Sequence, residues 1–509
     1  MSFEQFVMRN KVYFFLLFII NNIILLWAGW SLYKNIAYTQ CSIQSFHLDT
    51  YQSILHRTNM KFLSVGLDLS LARNMKDVPI KNDLFIKLSK YLSPAFVRIG
   101  GTSADCLTFN ETNNLSRKIL MDANDISNFT ITEEDFLNFY EFAVKAELQM
   151  IFDLNVLLRN PDGSWNVSNA LNIINFARSH SMDIDWQLGN EPNSFYHVFN
   201  ISISPEQLAK DYNELRLILN KSGYDASLLV GPEVNHIGDE DHIAELYLQT
   251  FLENDKDSID FVTWHQYYLN GREATVNDFV NPKTFQYLSI QIKSVIDVIQ
   301  NTGKRISSWI SETSSAYGGG APNLSDRFVD GFLWLDKLGY SAQAGIDVVT
   351  RQTLFGGNYA LIGPDLEPNP SWWISVLYKL LVSEKVLIFS SPNDYLRFYA
   401  HCTSKQRNKE LPFSVTIFGM NIADKDTHVS ISGITPIKDK KIKMLMFYLT
   451  AENLQSRNIQ LNGEVLRLGA NGELPPLDPL IIDPDLPIHI PAYSISFIVL
   501  VNVDIPACA

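Results

Sequence analysis

Two glutamates stand at the ends of short apolar segments, where a carboxyl group can take part in acid–base or nucleophilic chemistry. Glu191 follows the apolar segment 184–188, and Pro192 behind it cannot extend a central strand. Glu312 follows a second such segment, 309–311. A single strand-end glutamate is most simply a surface charge, but two that end buried strands are the pair that glycoside hydrolysis requires. We therefore predict a glycosidase site built on Glu191 and Glu312.

The pair fits a retaining mechanism, in which two carboxyl groups about 5–5.5 Å apart divide the chemistry between them. One protonates the oxygen of the leaving sugar and later activates water, while the other attacks the anomeric carbon and forms a covalent glycosyl-enzyme. Both glutamates must then point inward from the same rim of the fold. The elements around them have to supply that rim.

Eight short apolar segments alternate with longer amphipathic ones. The apolar segments are 61–70, 95–101, 148–155, 184–191, 227–234, 259–268, 305–314 and 345–352. Helix-like stretches lie between them, and one of these, 204–220, opens with Ser204 as an N-cap and Pro205 at the first helical position. Eight strand–helix alternations predict an α/β fold, a (β/α)8 TIM barrel over residues 59–384.

Polar side chains gather at the carboxyl ends of the eight segments, which is the rim where barrels of this kind build their active sites. They are Asp68, Arg98, Asp153, Asn155, Asn190, Glu191, Glu233, His265, Tyr267, Glu312, Arg351 and Gln352.

The pattern changes after the barrel to short alternating strands without long helices between them. The predicted strands are 386–390, 395–402, 413–421, 428–432, 443–450 and 494–501, with turn-forming Asn-Gly pairs at 462–463 and 471–472. This pattern predicts a C-terminal antiparallel β-sandwich formed by residues 385–509, to which residues 37–58 contribute a strand.

Composition narrows the class of partner. The chain has 509 residues and a formal net charge of −14, which argues against a nucleic-acid partner and against a uniformly basic surface for polyanions. We expect a monomer that acts on a polysaccharide without a cofactor or metal, since nothing in the sequence resembles a zinc site.

The N-terminus indicates the secretory pathway. Arg9 and Lys11 precede an apolar run over residues 12–30, interrupted by Asn21 and Asn22. The segment 1–36 reads either as a signal peptide or as an uncleaved signal anchor that holds the protein in a membrane. We expect a secreted, extracellular or lysosomal protein, with membrane anchoring through residues 12–30 as the alternative.

Sequons and cysteines agree with that compartment. Asn-x-Ser/Thr sequons are found at Asn110, Asn114, Asn128, Asn166, Asn200, Asn220 and Asn323, and we predict glycosylation of several of them. Cys402 and Cys508 lie in the C-terminal region, where they can pair across a long loop. The sequence leaves open whether Cys41 and Cys106 pair or stay free.

Several sequence blocks resemble the heparanase family of retaining β-glucuronidases, from Phe62 to Cys508. The blocks are Phe62-Leu63-Ser64-Val65, Leu92-Ser93-Pro94, Gly100-Gly101-Thr102, Gly189-Asn190-Glu191-Pro192-Asn193-Ser194-Phe195, Trp264-His265-Gln266-Tyr267-Tyr268-Leu269-Asn270-Gly271-Arg272, Glu312-Thr313-Ser314-Ser315-Ala316-Tyr317-Gly318-Gly319-Gly320-Ala321-Pro322 and Leu335-Asp336-Lys337-Leu338-Gly339. The resemblance implies a barrel with a C-terminal β-sandwich. It also implies that Glu191 is the proton donor and Glu312 the nucleophile.

The same blocks imply substrate-binding residues. Asn190 would bond the sugar 2-hydroxyl, in an interaction that strengthens in the transition state, and Tyr267 would contact the nucleophile. His265 and Arg272 are polar groups on the same rim, and His265 either contacts substrate or bonds a neighbouring carboxylate.

A glycine turn is also predicted to contact the substrate. Tyr317, Gly318 and Gly319 would bring backbone N–H groups against the glucuronate carboxylate, because glycine allows so close an approach; the alternative is a plain flexible turn. Further candidates for substrate contact are Asp68, Thr102, Gln352 and Tyr359.

The chain departs from the family around its cleft. Family members that cleave heparan sulfate carry basic clusters there, whereas residues 235–241 of this chain read Asn-His-Ile-Gly-Asp-Glu-Asp. The resemblance implies a heparanase-like endo-β-glucuronidase with heparan sulfate as the first-choice substrate. The acidic segment makes unsulfated hyaluronan the rival substrate, because it would repel dense sulfate. A non-catalytic glycosaminoglycan-binding protein of the same family is the alternative from a different functional class.

Overall fold

The computed structural model describes residues 43–51, 53–110, 126–390, 393–404 and 413–508. The predicted leader 1–36, Cys41 and the sequon at Asn114 lie outside these ranges. Within the described ranges, none of the helices combines the length and the apolarity that a membrane crossing requires.

Eight parallel strands close into a barrel, which confirms the predicted fold class. In chain order, the strands up to the end of the barrel are β1 (Gln44–Leu48), β2 (His56–Arg57), β3 (Leu63–Asp68), β4 (Ala95–Gly100), β5 (Leu107–Phe109), β6 (Phe129–Ile131), β7 (Leu148–Leu154), β8 (Ile184–Leu188), β9 (Leu229–Val234), β10 (Phe261–Gln266), β11 (Leu269–Asn270), β12 (Ser308–Thr313), β13 (Ala316–Tyr317) and β14 (Val349–Arg351). The barrel order is β3-β4-β7-β8-β9-β10-β12-β14, with β14 returning to β3. Each of the eight apolar segments in the sequence forms one of these strands.

Helices surround the barrel. They are α1 (Asp83–Lys90), α2 (Glu133–Lys145), α3 (Ser168–Ser179), α4 (Phe195–Phe199), α5 (Pro205–Lys221), α6 (Ile243–Asn254), α7 (Pro282–Thr302), α8 (Asp330–Gln343) and α9 (Pro370–Leu381). Helix α5 begins as predicted, because the Ser204 side chain accepts a hydrogen bond from the Gln207 backbone N–H. Helix α2 begins with a capping box formed by Thr132 and Asp135.

The barrel interior is apolar at one end and charged at the other. A cluster of Phe96, Ile151, Val230, Trp309 and Val348 is buried at the amino ends of the strands. Side chains two positions apart on a strand share a face. Arg98 lies two positions beyond Phe96, and Ser311 lies two positions beyond Trp309, so both point into the barrel above this apolar cluster. Charged side chains next to this apolar cluster interact strongly with one another, because little water screens them.

Two further sheets follow the barrel in the chain. Their strands are β15 (Val382–Val386), β16 (Phe389–Ser390), β17 (Leu396–Thr403), β18 (Ser414–Asn421), β19 (Thr427–Ser432), β20 (Lys443–Ala451), β21 (Ile459–Leu461), β22 (Glu464–Val465), β23 (Leu480–Ile482), β24 (Ile488–Ile490) and β25 (Ser494–Val501). One sheet has the order β16-β1-β19-β24, and the other has the order β2-β15-β17-β18-β25-β20-β21-β22 with β23 also on β20.

The first of these sheets departs from the predicted antiparallel arrangement. Strand β1, which precedes the barrel in the chain, pairs with β19 in parallel. The whole barrel lies between the two strands in sequence, so no hairpin turn forces them to run in opposite directions.

Helix α8 joins the barrel to the second sheet at very short range. A Cβ at Gly339 would lie 2.0 Å from Cδ2 of Tyr399 on β17, so only glycine lets helix and sheet approach this closely. One turn earlier, the buried Asp336 accepts hydrogen bonds from the Arg397 guanidinium at 2.6 and 3.2 Å and from the Tyr399 hydroxyl at 2.6 Å. A disulfide also joins Cys402 on β17 to Cys508.

Candidate active site

The backbone at the ends of β8 and β9 determines where Glu191 stands. Glu191 has φ 56° and Glu233 has φ 61°, so both lie in the left-handed backbone region that residues other than glycine rarely adopt. The Glu191 N–H donates to the Glu233 carbonyl at 3.1 Å, which ties the two turns together. Strained backbone of this kind persists where the surrounding structure determines it, and it is concentrated at functional sites.

Glu312 is held from both sides of its carboxylate. On β12 it is 9% exposed. Its Oε1 accepts a hydrogen bond from the Tyr267 hydroxyl at 2.8 Å, and its Oε2 accepts one from the Arg98 guanidinium at 2.7 Å. Burial alone would raise the pKa of Glu312, but the charges of His265 and Arg98 and these two hydrogen bonds outweigh it and hold the pKa below its usual range.

Glu191 and Glu312 lie close together. Ligating atoms of Glu191, His265 and Glu312, one carboxylate oxygen from each glutamate among them, all lie within 4.8 Å of one another. Glycosidases that invert configuration keep their carboxyl groups about 6.5–9.5 Å apart to admit a water, whereas those that retain it keep them about 5–5.5 Å apart. The spacing therefore fits a direct attack by one carboxylate on the sugar.

His265 bridges two carboxylates. Its Nδ1 lies 2.8 Å from Oε1 of Glu191, and its Nε2 lies 2.8 Å from Oε2 of Glu233. Burial would lower the pKa of His265, but the negative charge of Glu312 and the hydrogen bonds to Glu191 and Glu233 raise it to about 10. The ring is therefore a charged imidazolium at neutral pH, with both N–H groups donating. Of the two roles the sequence left open for His265, these contacts favour bonding a neighbouring carboxylate.

The Arg98 guanidinium forms hydrogen bonds with three polar side chains of the site. Its Nε donates to Gln187 Oε1 at 2.8 Å and its Nη2 to Asn190 Oδ1 at 2.7 Å, in addition to the bond with Glu312. Burial opposes the charged form, yet the carboxylates of Glu233 and Glu312 outweigh burial and raise the pKa of Arg98 above its ordinary value. Sequence reasoning named Arg98 and Glu233 as rim residues but gave them no role; the only available signal was their position at strand ends.

Asn190 is fixed by its backbone and by its side-chain oxygen. Its N–H donates to Asp105 Oδ2 at 2.9 Å, and Asp105 Oδ1 also accepts from the Val156 N–H at 3.0 Å. Burial raises the pKa of Asp105 to about 7, against these backbone hydrogen bonds. Among the described residues nothing accepts a hydrogen bond from the Asn190 side-chain amide, so that group is available to a ligand.

The predicted glycine turn lies beside the end of β11. Residues 269–270 pair with 316–317, and the Gly271 N–H donates to the Tyr317 carbonyl at 3.1 Å. Gly318 and Gly319 have φ 73° and 86°, and a Cβ added at either would meet nothing within 4 Å. The turn is therefore open in front of its backbone.

Tyr317 and Arg272 border this turn. The Tyr317 side chain is about half exposed. Arg272 directly follows Gly271 and is exposed, and its guanidinium makes no hydrogen bond or ion pair with any described residue. An unpaired guanidinium is a suitable donor for a carboxylate or sulfate ligand.

The remaining predicted contacts lie at or beyond the carboxyl ends of the neighbouring strands β14, β3 and β4. The Gln352 side chain donates to Asp68 Oδ2 at 2.9 Å, and the Gln352 N–H donates to the Thr313 carbonyl at 2.8 Å. Thr102 begins the turn after Gly101, where an added Cβ would lie 2.7 Å from Asp68 Oδ2.

Tyr359 closes the same side of the rim. Burial raises its pKa well above the ordinary value, and its backbone carbonyl accepts from Arg351 at 3.0 Å. The structure thus brings Asp68, Gln352 and the strand of Glu312 into one bonded group, with Thr102 and Tyr359 on adjoining loops.

A bound metal would have to displace existing partners at this site. Glu191, His265 and Glu312 are the one set of three ligating side chains in the described ranges that lie close enough to share an ion. His265 Nδ1 is bonded to Glu191, and each oxygen of Glu312 has its own donor. We interpret the group as a hydrogen-bonded acid–base cluster whose negative charge is balanced by Arg98 and His265.

Comparison with known proteins identifies similar chains. The family model of the glycosyl hydrolase family 79 N-terminal domain matches residues 71–339. Heparanase of Rattus norvegicus is 35% identical over 494 residues, covering 88% of this chain and 91% of that protein. Inactive heparanase-2 of Mus musculus is 30% identical over 522 residues, covering 88% and 87%. Hyaluronoglucuronidase of Hirudo nipponia is 29% identical over 462 residues, covering 84% and 92%.

Proposed function

This chain belongs to glycosyl hydrolase family 79, and from that premise we propose that it is a retaining endo-β-glucuronidase that cleaves glycosaminoglycan chains. That it is a glycoside hydrolase follows from the family. The finer proposal rests on one observation above all: a carboxylate oxygen of Glu191 and one of Glu312 lie within 4.8 Å of each other.

In the first step, a carboxylate oxygen of Glu312 attacks the anomeric carbon of the glucuronate. The bond from that carbon to the glycosidic oxygen breaks, and Glu191 gives its proton to the departing oxygen. Arg98 and Tyr267 aim Glu312, and together with His265 they keep it ionised for the attack. The products are a shortened chain with a new hydroxyl and a covalent ester on Glu312.

In the second step, Glu191 acts as the base. It takes a proton from water while the water oxygen attacks the anomeric carbon, and the ester bond to Glu312 breaks. Glu191 regains its proton and Glu312 its charge. Two inversions restore the original configuration at the anomeric carbon.

The glycine turn and Arg272 support recognition of the uronate carboxylate. Open backbone with positive φ at Gly318 and Gly319 offers N–H groups to an anion without steric hindrance. Arg272, whose guanidinium has no partner among the described residues, directly follows Gly271, which bonds this turn. The side-chain amide of Asn190 donates to none of the described residues and is suited to bond the sugar 2-hydroxyl.

Heparan sulfate is the first-choice substrate, on the basis of the resemblance and of the relatives named heparanase. Hyaluronan is the second candidate, because the loop after β9 exposes Asp239, Glu240 and Asp241. Three carboxylates on the rim disfavour a densely sulfated chain. The Hirudo nipponia relative is named for a glucuronidase acting on hyaluronan.

The test is to incubate the purified protein separately with heparan sulfate and hyaluronan and to measure product size by gel filtration. We expect progressive shortening of one polymer or both, and none with Glu312→Gln. Glu384→Gln is a matched control, because Glu384 pairs with Arg57 away from the cluster. Shortening of neither polymer by the wild-type protein would overturn the proposed cleavage of glycosaminoglycans and favour a binding role.

The retaining mechanism has its own test. Proton NMR during early turnover should show the β-anomer of the new reducing end before mutarotation produces the α-anomer. The α-anomer appearing first would contradict a covalent ester on Glu312.

We further propose that the protein enters the secretory pathway and is secreted or lysosomal, with membrane anchoring through residues 12–30 as the alternative. The apolar leader supports this, as does the exposure of Asn110, Asn128, Asn200, Asn220 and Asn323; Asn166 is half-buried. Digestion with an endoglycosidase should lower the apparent mass of the expressed protein. An unchanged mass would contradict glycosylation at these sequons.

A further inference from the structure

We infer that Glu233 is a positioning residue for the acid–base glutamate, acting through His265 and through its own backbone carbonyl. The inference rests on the proposed function, in which Glu191 is the proton donor. It assigns a role to a fully buried carboxylate that the two-glutamate mechanism does not use.

The Glu233 side chain anchors the far side of the His265 ring. Its Oε2 lies 2.8 Å from His265 Nε2 and accepts a hydrogen bond from the Ser311 hydroxyl at 2.7 Å. Arg98 Nη2 lies 3.5 Å from the same oxygen. Two hydrogen bonds and an ion-pair contact, from three different strands, therefore hold Oε2 of Glu233. The His265 ring is bonded at both nitrogens, which orients its Nδ1 toward Glu191.

The Glu233 backbone contacts the acid–base residue directly. Its carbonyl accepts the Glu191 N–H at 3.1 Å, and its own N–H donates to the Thr263 hydroxyl at 3.2 Å. Glu233 is thus linked to Glu191 in two ways. The main-chain hydrogen bond is direct, and the second link runs through His265, whose Nδ1 lies 2.8 Å from Oε1 of Glu191.

The charge of Glu233 determines the charge state of its surroundings. The titratable and charged groups around it come from every packed element: Arg98 on β4, Asp153 on β7, Glu191 after β8, His265 on β10, Glu312 on β12 and Tyr212 on α5. Burial opposes ionisation of Glu233, but Arg98 and the hydrogen bond from His265 outweigh it and lower its pKa. An ionised Glu233 in turn helps to keep His265 protonated.

This arrangement has a mechanistic consequence. With its ring pinned and charged, His265 always donates Nδ1–H to Oε1 of Glu191, which leaves the other oxygen to exchange the catalytic proton. The negative charge of Glu233 balances that imidazolium. Without this charge, the imidazolium loses its balancing partner, and the ring is held less firmly against Glu191.

Glu233→Gln tests the inference, because it keeps the shape of the side chain and removes the charge. We expect kcat/KM to fall about 10–100-fold in this variant. Glu233→Asp keeps the charge but places it one methylene back, so it should recover part of the loss. An unchanged kcat/KM in Glu233→Gln would contradict a positioning role for Glu233.

A second measurement is independent of turnover. In protein labelled with ¹³C at histidine Cε1, the His265 resonance, assigned by its loss in His265→Gln, should titrate at progressively lower pH from wild type to Glu233→Asp to Glu233→Gln. Glu384→Gln should match the wild type. The inference would be overturned if the His265 ring titrated at the same pH in all forms. If Glu233→Gln does not fold, the comparison of the wild type with Glu233→Asp decides the question. A wild type inactive on every polymer would refute the proposed function and leave this result intact.

Discussion

The hydroxyl of Tyr267 donates a 2.8 Å hydrogen bond to Oε1 of Glu312, the oxygen opposite the one that Arg98 holds. A carboxylate gripped at both oxygens in a buried site has one orientation and a stabilised charge. This bond therefore affects both the aim of the proposed nucleophile and the pH range in which it is ionised.

Removing that hydroxyl should affect rate and pH dependence together. In Tyr267→Phe we expect kcat/KM to fall about 10–100-fold, since a hydrogen bond to a charged group is worth about 1.5–3 kcal/mol. The bond lowers the pKa of Glu312, so its loss should raise that pKa and move the acid limb of the profile to higher pH. A pH series of initial rates measures both effects, and an acid limb that stays in place would contradict the role assigned to Tyr267.

The ion pair between helix α8 and β17 should be a large contributor to stability. Asp336→Asn leaves the partly buried Arg397 guanidinium without its charge partner, the fully buried Asp336 carboxylate. Breaking a buried pair from one side destabilises by about 3–5 kcal/mol. Chemical denaturation should show this loss. The double variant Asp336→Asn with Arg397→Met removes the unpaired charge and should recover part of it; a double variant less stable than the sum of the two single changes would contradict the pairing.

Asp105 should make the stability of the protein depend on pH. Its pKa is raised from 3.8 to about 7 in the folded chain, so between these values the folded state keeps a proton that the unfolded state has lost. Stability from this group is therefore lost as pH rises through that window. Relative to Asp105→Asn, the free energy of unfolding of the wild type should fall by a few kcal/mol between about pH 4 and pH 7. A difference in unfolding free energy between the wild type and Asp105→Asn that stays constant or grows with pH would contradict this prediction.

The barrel could be predicted from sequence because its strands are buried on both faces. Such strands read as continuous apolar segments, and all eight segments became barrel strands. The rim position of Glu191 and Glu312 followed from the same pattern, since polar residues end the strands on one side.

The connections within the site could not be predicted. Arg98, Glu233 and His265 appear in the sequence as isolated polar residues on separate strands, and nothing local states that they bond each other across the barrel. The parallel pairing of β1 with β19 was missed for a similar reason, because it joins residues separated by the whole barrel. Long-range partners are decided by the closed geometry of the fold, which short-range pattern does not contain.

The acidic loop after β9 should control the preference between sulfated and unsulfated chains. Asp239 and Glu240 are exposed on this loop, beyond the strand that carries Glu233. Replacing both with lysine removes repulsion at the rim, so kcat/KM on heparan sulfate should rise about 2–10-fold at low ionic strength, and added salt should shrink the gain because it screens exposed charges. Hyaluronan, with one carboxylate per disaccharide and no sulfate, should respond less. The double variant Asp478→Lys with Asp485→Lys, two exposed charge reversals on either side of β23, is the matched control for overall charge. An equal gain in that control, or an equal gain on both polymers, would show that net charge rather than the loop governs the choice.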